Sequence, residues 1–254
     1  MKENIIKWIK EYAKDSNIKS LVIGISGGID SALTSTLCAE TGIKTLIVSM
    51  PIHQDPTQLT RARNHIEWLC DKYDNVNTLE KDLTPLFEEF KGLFSKHNAL
   101  ALANSRARLR MTTLYQIAQM NNGIVVGTGN KIEDFGVGFF TKYGDGGVDI
   151  SPIADLMKSE VRELARELGV SDEILKASPT DGLWGDDRTD EDQLGATYDE
   201  LEWAMEYIHS RYYKGTLELT ARQQEVLKIY EDNNKKNKHK MNPIPVYYQT
   251  KKNY

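Results

Sequence analysis

Cysteine is nearly absent from the 254-residue chain: only Cys38 and Cys70 occur, in neither a CxxC nor a zinc-finger spacing. The five histidines, at 53, 65, 97, 209 and 239, form no HExxH pair. A disulfide scaffold, a structural zinc site and a dithiol redox centre are thereby excluded as readings, and the two thiols, each on an apolar helical face, read as core residues. Long hydrophobic runs are missing too. No apolar stretch approaches the ~18–20 residues that span a bilayer. Residues 1–17 interleave charges with Ile5, Trp8, Ile9 and Tyr12 at helical spacing, which is no signal-peptide core. The expectation is a cytoplasmic protein with no membrane partner.

What is present is ordinary for a globular chain: 40% hydrophobic residues besides 18 glycines, enough to bury a sizeable core without staples. Charge is uneven. The whole chain carries −5 and its last 22 residues hold six lysines and no acid, so residues 1–232 stand near −11. Ten acids against Arg188 alone lie between Asp181 and Glu206. An acidic body argues against a dedicated nucleic-acid binder, whereas the basic tail 233–254 reads either as a loose solvated end or as a cover for an anionic small molecule. No linker is visible, so residues 1–254 read as one domain.

Short apolar runs alternate with helical patterns. Ser20–Ile25, Thr45–Met50, Gly123–Val126 and, more weakly, Asn75–Leu79 read as strands. Between and after them, helical periodicity marks Asp30–Thr41, the segment bearing Leu59, Ala62, Ile66 and Leu69, and residues 98–121. It marks also the segment bearing Val161, Leu164, Ala165 and Leu168, then Thr189–Ser210 and Thr220–Asp232. Glycine-rich Asn130–Gly147 reads as a functional loop. Strands separated by helices imply parallel pairing, hence an α/β, three-layer Rossmann-like fold with a mostly parallel central sheet flanked by helices. Ligands in such sheets sit beyond the carboxyl ends of the strands, which directs attention to the residues after Ile25, Met50 and Val126.

The segment Gly24-Ile25-Ser26-Gly27-Gly28-Ile29-Asp30-Ser31 fills that position after the first strand. Its glycines let the backbone turn and expose N–H groups, and the helix start adds unpaired donors with partial positive charge. A polyphosphate fits. The segment is neither a Walker A loop nor GxGxxG, and a carboxylate beside a phosphate-binding helix end makes sense chiefly with Mg²⁺ between them. Glu133, following another parallel strand, can reach the same crevice and is the second candidate Mg²⁺ ligand; its alternative is a solvated loop acid. Lys158, at a helix start where the dipole opposes it, suggests a phosphate partner, with a solvated surface lysine as the alternative.

SGGIDS resembles the SGGxDS signature of the N-type ATP pyrophosphatases. Four further stretches are similar to the ammonia-dependent NAD synthetases of that superfamily: GTGNKIE (127–133), FFTKYGDG (139–146), SPIADLMK (151–158) and Asp190-Glu191…Leu194-Gly195…Tyr198, together with RARLRMTTLY (106–115). The resemblance covers nearly the whole chain. It implies that ATP is bound by Gly24 to Ser31, Thr128, Lys158 and Thr180. It implies that deamido-NAD is bound by Arg108, Lys142 and Asp149, with His239 and Lys240 closing on it from the tail, and with Asn104 and Tyr115 contributing around the nicotinate across a homodimer interface. Where many bacterial members carry Arg-Leu-Pro after the second strand, this chain has Ser49-Met50-Pro51. No adenine contact is carried onto Ser49, and Arg61 and His53 are the substitutes considered.

The reaction so implied is adenylation of the nicotinate carboxylate, with release of pyrophosphate, followed by displacement of AMP by ammonia. Asp30, Glu133, Asp145 and Lys158 are the candidate catalytic residues, Asp145 either binding ammonium or holding its own glycine loop together. Glutamine-dependent relatives carry an amidohydrolase domain in front, so free ammonia is the expected nitrogen donor. Segments 139–147, 181–192 and the tail are candidate lid parts. The rival readings are a tRNA-modifying ATP pyrophosphatase, which the acidic body opposes, and a non-enzymatic nucleotide-binding sensor, which would not need Asp30 and Glu133 together.

Overall fold

Strand β1 (Ser20–Ile25) is buried along almost its whole length, and its side chains divide between two cores. The computed structural model describes residues 1–180, 189–214 and 218–247. Leu21, Ile23 and Ile25 pack on one face of the sheet against α1 (Lys2–Asp15), α2 (Ile29–Glu40), α3 (Pro56–Lys72) and α6 (Lys158–Glu167). Val22 faces the other side with Leu46 and Val48 of β2 (Lys44–Ser49), covered by α4 (Thr84–Gly92) and α5 (Ala99–Met120). The period-2 alternation of a strand thus divides one apolar run between both helical layers. Cys38 lies fully buried in the first core and Cys70 packs against it, as expected of core thiols.

The sheet is wholly parallel, ordered β3-β2-β1-β4, with β3 at Val76–Glu80 and β4 at Gly123–Val125. The chain winds outward from β1 to β3 and then returns to the other side of β1, so the strand order reverses between β1 and β4. A crevice opens at such a switch point, beyond the carboxyl ends of the strands. Past β4, Val126 bridges in parallel to Ile150.

Several elements depart from the sequence reading. Helix α4 was not anticipated. The supposed loop from Asn130 contains a seven-residue π-helix, Lys131–Val137, capped by the Asn130 side chain, which accepts from the N–H groups of Ile132 and Glu133. The expected helix 189–210 is two helices, α8 (Asp190–Leu194) and α9 (Tyr198–Lys214), because Gly195 takes a left-handed φ of +78° that ends α8. Finally, α10 (Ala221–Met241) carries nine residues of the supposed loose tail. Its face donates hydrogen bonds to the end of the π-helix: Asn234 to the Gly136 carbonyl and Asn237 to that of Val137. These C-terminal elements enclose a third core around Ile132, Tyr198, Leu201 and Tyr230. The short helix α7 (Asp172–Leu175) completes the described elements; residues 181–188 of the acidic run and 248–254 of the tail lie outside the described residues.

Candidate functional site

The turn after β1 is built around Gly27, whose φ of +86° suits glycine. A Cβ there would run into the Gln58 carbonyl of α3, so the loop lies tightly on that helix. Its hydroxyls hold the turn: Ser31 Oγ donates to the Gly28 carbonyl at 2.9 Å, and Ser26 Oγ accepts from the Gly28 N–H at 3.2 Å. No side chain caps the start of α2. Its first N–H groups remain available to an anion.

They border a crevice of about 800 Å³ that also touches Thr128 and Gly129 after β4, Asn104 of α5, Asp145, Lys158, Thr180 and Lys240. Strand ends, the glycine loop after β1 and α10 therefore surround one space at the topological switch point.

Within it, Lys158 Nζ donates to Asp30 Oδ2 at 2.5 Å and to Glu133 Oε1 at 3.0 Å, with the lysine side chain only 3% exposed. Asn130, fully buried, couples both acids: its Nδ2 donates to Asp30 Oδ1 at 3.0 Å while its Oδ1 receives the Glu133 N–H at 3.1 Å. Tyr198 donates its hydroxyl to Glu133 Oε1 at 2.5 Å. Burial alone would lower the lysine's pKa, but the two carboxylates reverse this and hold it above its ordinary value. Burial pushes Asp30 up more strongly than Lys158 pulls it down. Glu133 goes the other way: burial is outweighed by the Lys158 charge and the hydrogen bonds from Tyr198, Lys158 and Asn130, and its carboxyl stays below the ordinary range. The partners of Lys158 in this structure are thus two acids, where the sequence suggested phosphate.

Two carboxylate oxygens within 3.0 Å of a single nitrogen can converge on one cation. Among the described residues no group of three or more His, Cys, Asp or Glu side chains could hold a metal. This donor set fits Mg²⁺, which keeps several waters and is bound through one or two carboxylates plus substrate phosphates.

Asp145 Oδ1 accepts the Thr141 N–H at 3.0 Å, and Thr141 Oγ1 donates to Asn104 Oδ1 at 2.7 Å. Although Asp145 opens onto the crevice, the surrounding protein limits its hydration, and this confinement pushes its carboxyl up to about 6. Asp134, not singled out in the sequence, is raised well above its usual value by burial and then by Glu133, Asp145 and Asp30. Its position next to Glu133 on a π-helix is invisible to a reading based on helix and strand periods.

The residues assigned to deamido-NAD divide. Asn104 and Lys240 line the crevice, whereas Arg108, Tyr115, Lys142, Asp149 and His239 are not among its lining residues. These five interact with one another or with nearby backbone. Arg108 donates to the Lys142 carbonyl at 3.3 Å, Tyr115 to Asp149 Oδ1 at 3.0 Å, and Lys142 Nζ to the His239 carbonyl at 2.7 Å. Arg108 points away from the other two α5 arginines, as a residue two positions from each must. Arg106 and Arg110, four apart, share a helix face, Arg106 lying 4.9 Å over the Phe87 ring and Arg110 donating to the Met50 carbonyl at 3.0 Å. Of the two substitutes considered for adenine contact, Arg61 borders the crevice; His53 instead pairs with Glu88 at 2.7 Å.

The same fold occurs in known proteins. The family model for NAD synthase matches residues 1–244. An NH(3)-dependent NAD(+) synthetase of Finegoldia magna is 41% identical over 202 residues, covering 79% of this chain and 81% of its own. That of Mycoplasma genitalium is 35% identical over 248 residues, 94% of either chain. Among solved structures, an NMN synthetase from Francisella tularensis aligns with a TM-score of 0.82 and 32% identity over 97% of this chain and 96% of its own. An NH3-dependent NAD synthetase from Campylobacter jejuni gives 0.79 and 25% over 97% of both. With a glycine-rich loop at the switch point of a parallel sheet and a family match across nearly its full length, the chain belongs to the NAD synthase family.

Proposed function

We infer that the chain is an ammonia-dependent NAD synthetase, a ligase that uses ATP to convert the nicotinate carboxylate of deamido-NAD into an amide. The single observation carrying this reading is the meeting of Asp30 and Glu133 at Lys158 Nζ, directly beside the phosphate loop. ATP would lie with its phosphates along Ser26–Ile29 and on the open start of α2, with the Ser26 and Gly28 N–H groups exchanging their bonds to the loop's own serine hydroxyls for phosphate. Asp30 and Glu133 would hold Mg²⁺, which when bound neutralises phosphate charge and polarises the reacting phosphorus. Lys158 then has a phosphate oxygen to turn to, and stabilises negative charge on the leaving pyrophosphate. The nicotinate carboxylate attacks the α-phosphorus, the bond to the β-phosphate oxygen breaks, and an acyl adenylate forms. Ammonia attacks its carbonyl carbon and AMP departs. Asp145, with its carboxyl near 6, is suited to take the proton that the attacking nitrogen sheds.

Asn104 and Lys240 are the crevice residues assigned to the pyridine nucleotide. Tyr115, Asp149, Arg108, Lys142 and His239 lie outside its lining, so their assignment goes with a homodimer in which a second copy completes the binding surface. Packing of the C-terminal core against the π-helix supports reading the chain as one domain. Among the described residues no helix is long and apolar enough to cross a membrane.

A product assay with deamido-NAD, ATP, Mg²⁺ and ammonium tests the reading: NAD, AMP and pyrophosphate should appear in equal amounts. ADP in place of AMP would exclude the mechanism, and no turnover would favour the nucleotide sensor. The likeness to an NMN synthetase favours a second reading, the same amidation on nicotinate mononucleotide. Comparing kcat/KM for the two pyridine nucleotides decides between them.

A further inference from the structure

Tyr198 is among the largest fully buried side chains, at 0% exposure, and begins α9 immediately beyond the turn that ends α8. Its ring belongs to the C-terminal core with Ile132 and Leu201. That accounts for the ring but not for the hydroxyl. A buried hydroxyl without a partner is costly, and phenylalanine would fill the same space without that burden. The hydroxyl donates to Oε1 of Glu133, the same oxygen that receives Lys158, and Lys158 Nζ lies 4.8 Å from the ring centroid. Glu133 itself stands on a seven-residue π-helix, a short element with few constraints of its own on a long side chain.

We propose that Tyr198 is a positioning residue for the reaction, holding the Glu133 carboxylate in the orientation in which it and Asp30 converge on one divalent cation. The inference rests on the reading of Asp30 and Glu133 as cation ligands, and it adds a role for the first residue of α9, beside the α8 residues Asp190, Gln193 and Leu194 that border the crevice. Groups that orient metal-binding carboxylates from behind are costly to remove, by roughly 10–100-fold in metal affinity. The ring keeps its packing in Y198F and only the hydrogen bond is lost.

The test measures Mn²⁺ binding by the loss of the free-ion electron paramagnetic resonance signal, with α,β-methylene-ATP present. Y198F is expected to bind Mn²⁺ about tenfold more weakly than the parent, to need more Mg²⁺ for half-maximal turnover, and to keep its KM for deamido-NAD. In an E133Q background Y198F should change Mn²⁺ affinity no further, since the phenol acts through that carboxylate. Unchanged affinity in Y198F, or an equal loss in the E133Q background, overturns the proposal. Should Y198F fail to fold, E133D carries the test: it leaves the tyrosine in its core and draws the carboxylate back by one methylene. Parental Mn²⁺ affinity in E133D overturns the proposal. A parent that binds no Mn²⁺ overturns the metal reading and this proposal together, whereas the product assay reports on the reaction independently.

Discussion

Lys158 Nζ reaches Asp30 Oδ2 across 128 residues of sequence, joining the first residue of α6 to the second of α2. Both stand at helix N-termini, where the dipole favours the aspartate and opposes the lysine. A buried lysine at such a place is tolerated because two carboxylates surround it, and the arrangement is tied to the site more than to the fold. The ammonium lets two acids that would otherwise repel each other meet at one point.

Lys158→Met should therefore destabilise the protein by about 3–5 kcal/mol, the usual cost of leaving one side of a buried ion pair unpaired. The two acids would then bind protons more tightly when folded, so the loss should shrink as pH falls through the carboxylate range. Urea unfolding at pH 7 and pH 4 checks this. Asp30→Asn removes one of the repelling charges and keeps the shape, so it should fold while releasing no pyrophosphate.

Gly27→Ala adds a methyl group where the backbone is left-handed and the Gln58 carbonyl already fills the space. Relief requires the loop to lift off α3, which moves the N–H groups proposed to hold phosphate. ATP binding by calorimetry should be lost, and the melting temperature should fall by the equivalent of about 1–3 kcal/mol. Gly42→Ala also has a positive φ but finds nothing within 4 Å of its Cβ, so it separates backbone strain from collision.

Much of this was legible. SLVIGI, TLIVSM and GIVV are apolar runs too short for anything but buried strands, and the glycines after the first announce a turn that needs backbone freedom. Helix α4 was not legible because it is short: nine residues, Thr84–Gly92, carry too few turns for a helical period to stand out, even though Phe87 is buried. The π-helix follows neither of the periods a sequence reading counts, and its C-terminal carbonyls are satisfied by α10, about 100 residues away. The charge of Lys158 at a helix start signalled an unusual partner without saying which, since both acids that meet it are distant in sequence. Tyr198 stood in a recognisable motif, but nothing local indicates that its hydroxyl faces Glu133.

Asp145 sets a pH dependence of defined sign. Its carboxyl is pushed up to about 6 from an ordinary value near 3.8. Between those values the folded protein keeps a proton that the unfolded chain has lost, so stability falls as pH rises through this window and the penalty is complete above about 6. Asp145→Asn removes it and retains an oxygen for the Thr141 N–H. The variant should melt above the parent at pH 7.5, with the difference closing below pH 4, as calorimetric scans across that range would record.

Lys240 offers the sharpest distinction between holding substrate and holding structure. Its Nζ donates to the carbonyls of Gly138 and Phe140 at 2.8 Å each and lies 5.4 Å from the Phe140 ring centroid. Gly138 caps the π-helix in the left-handed region, so the ammonium fastens α10 to the start of the loop that leads to Asp145. Lys240→Met keeps the aliphatic stem and removes both hydrogen bonds, at a cost of about 1–3 kcal/mol. The melting temperature should fall and the KM for the pyridine nucleotide should rise several-fold, with kcat changed less. A lysine acting on the nucleotide alone would raise KM without altering the melting temperature of the free protein, so the two measurements on one variant separate the roles.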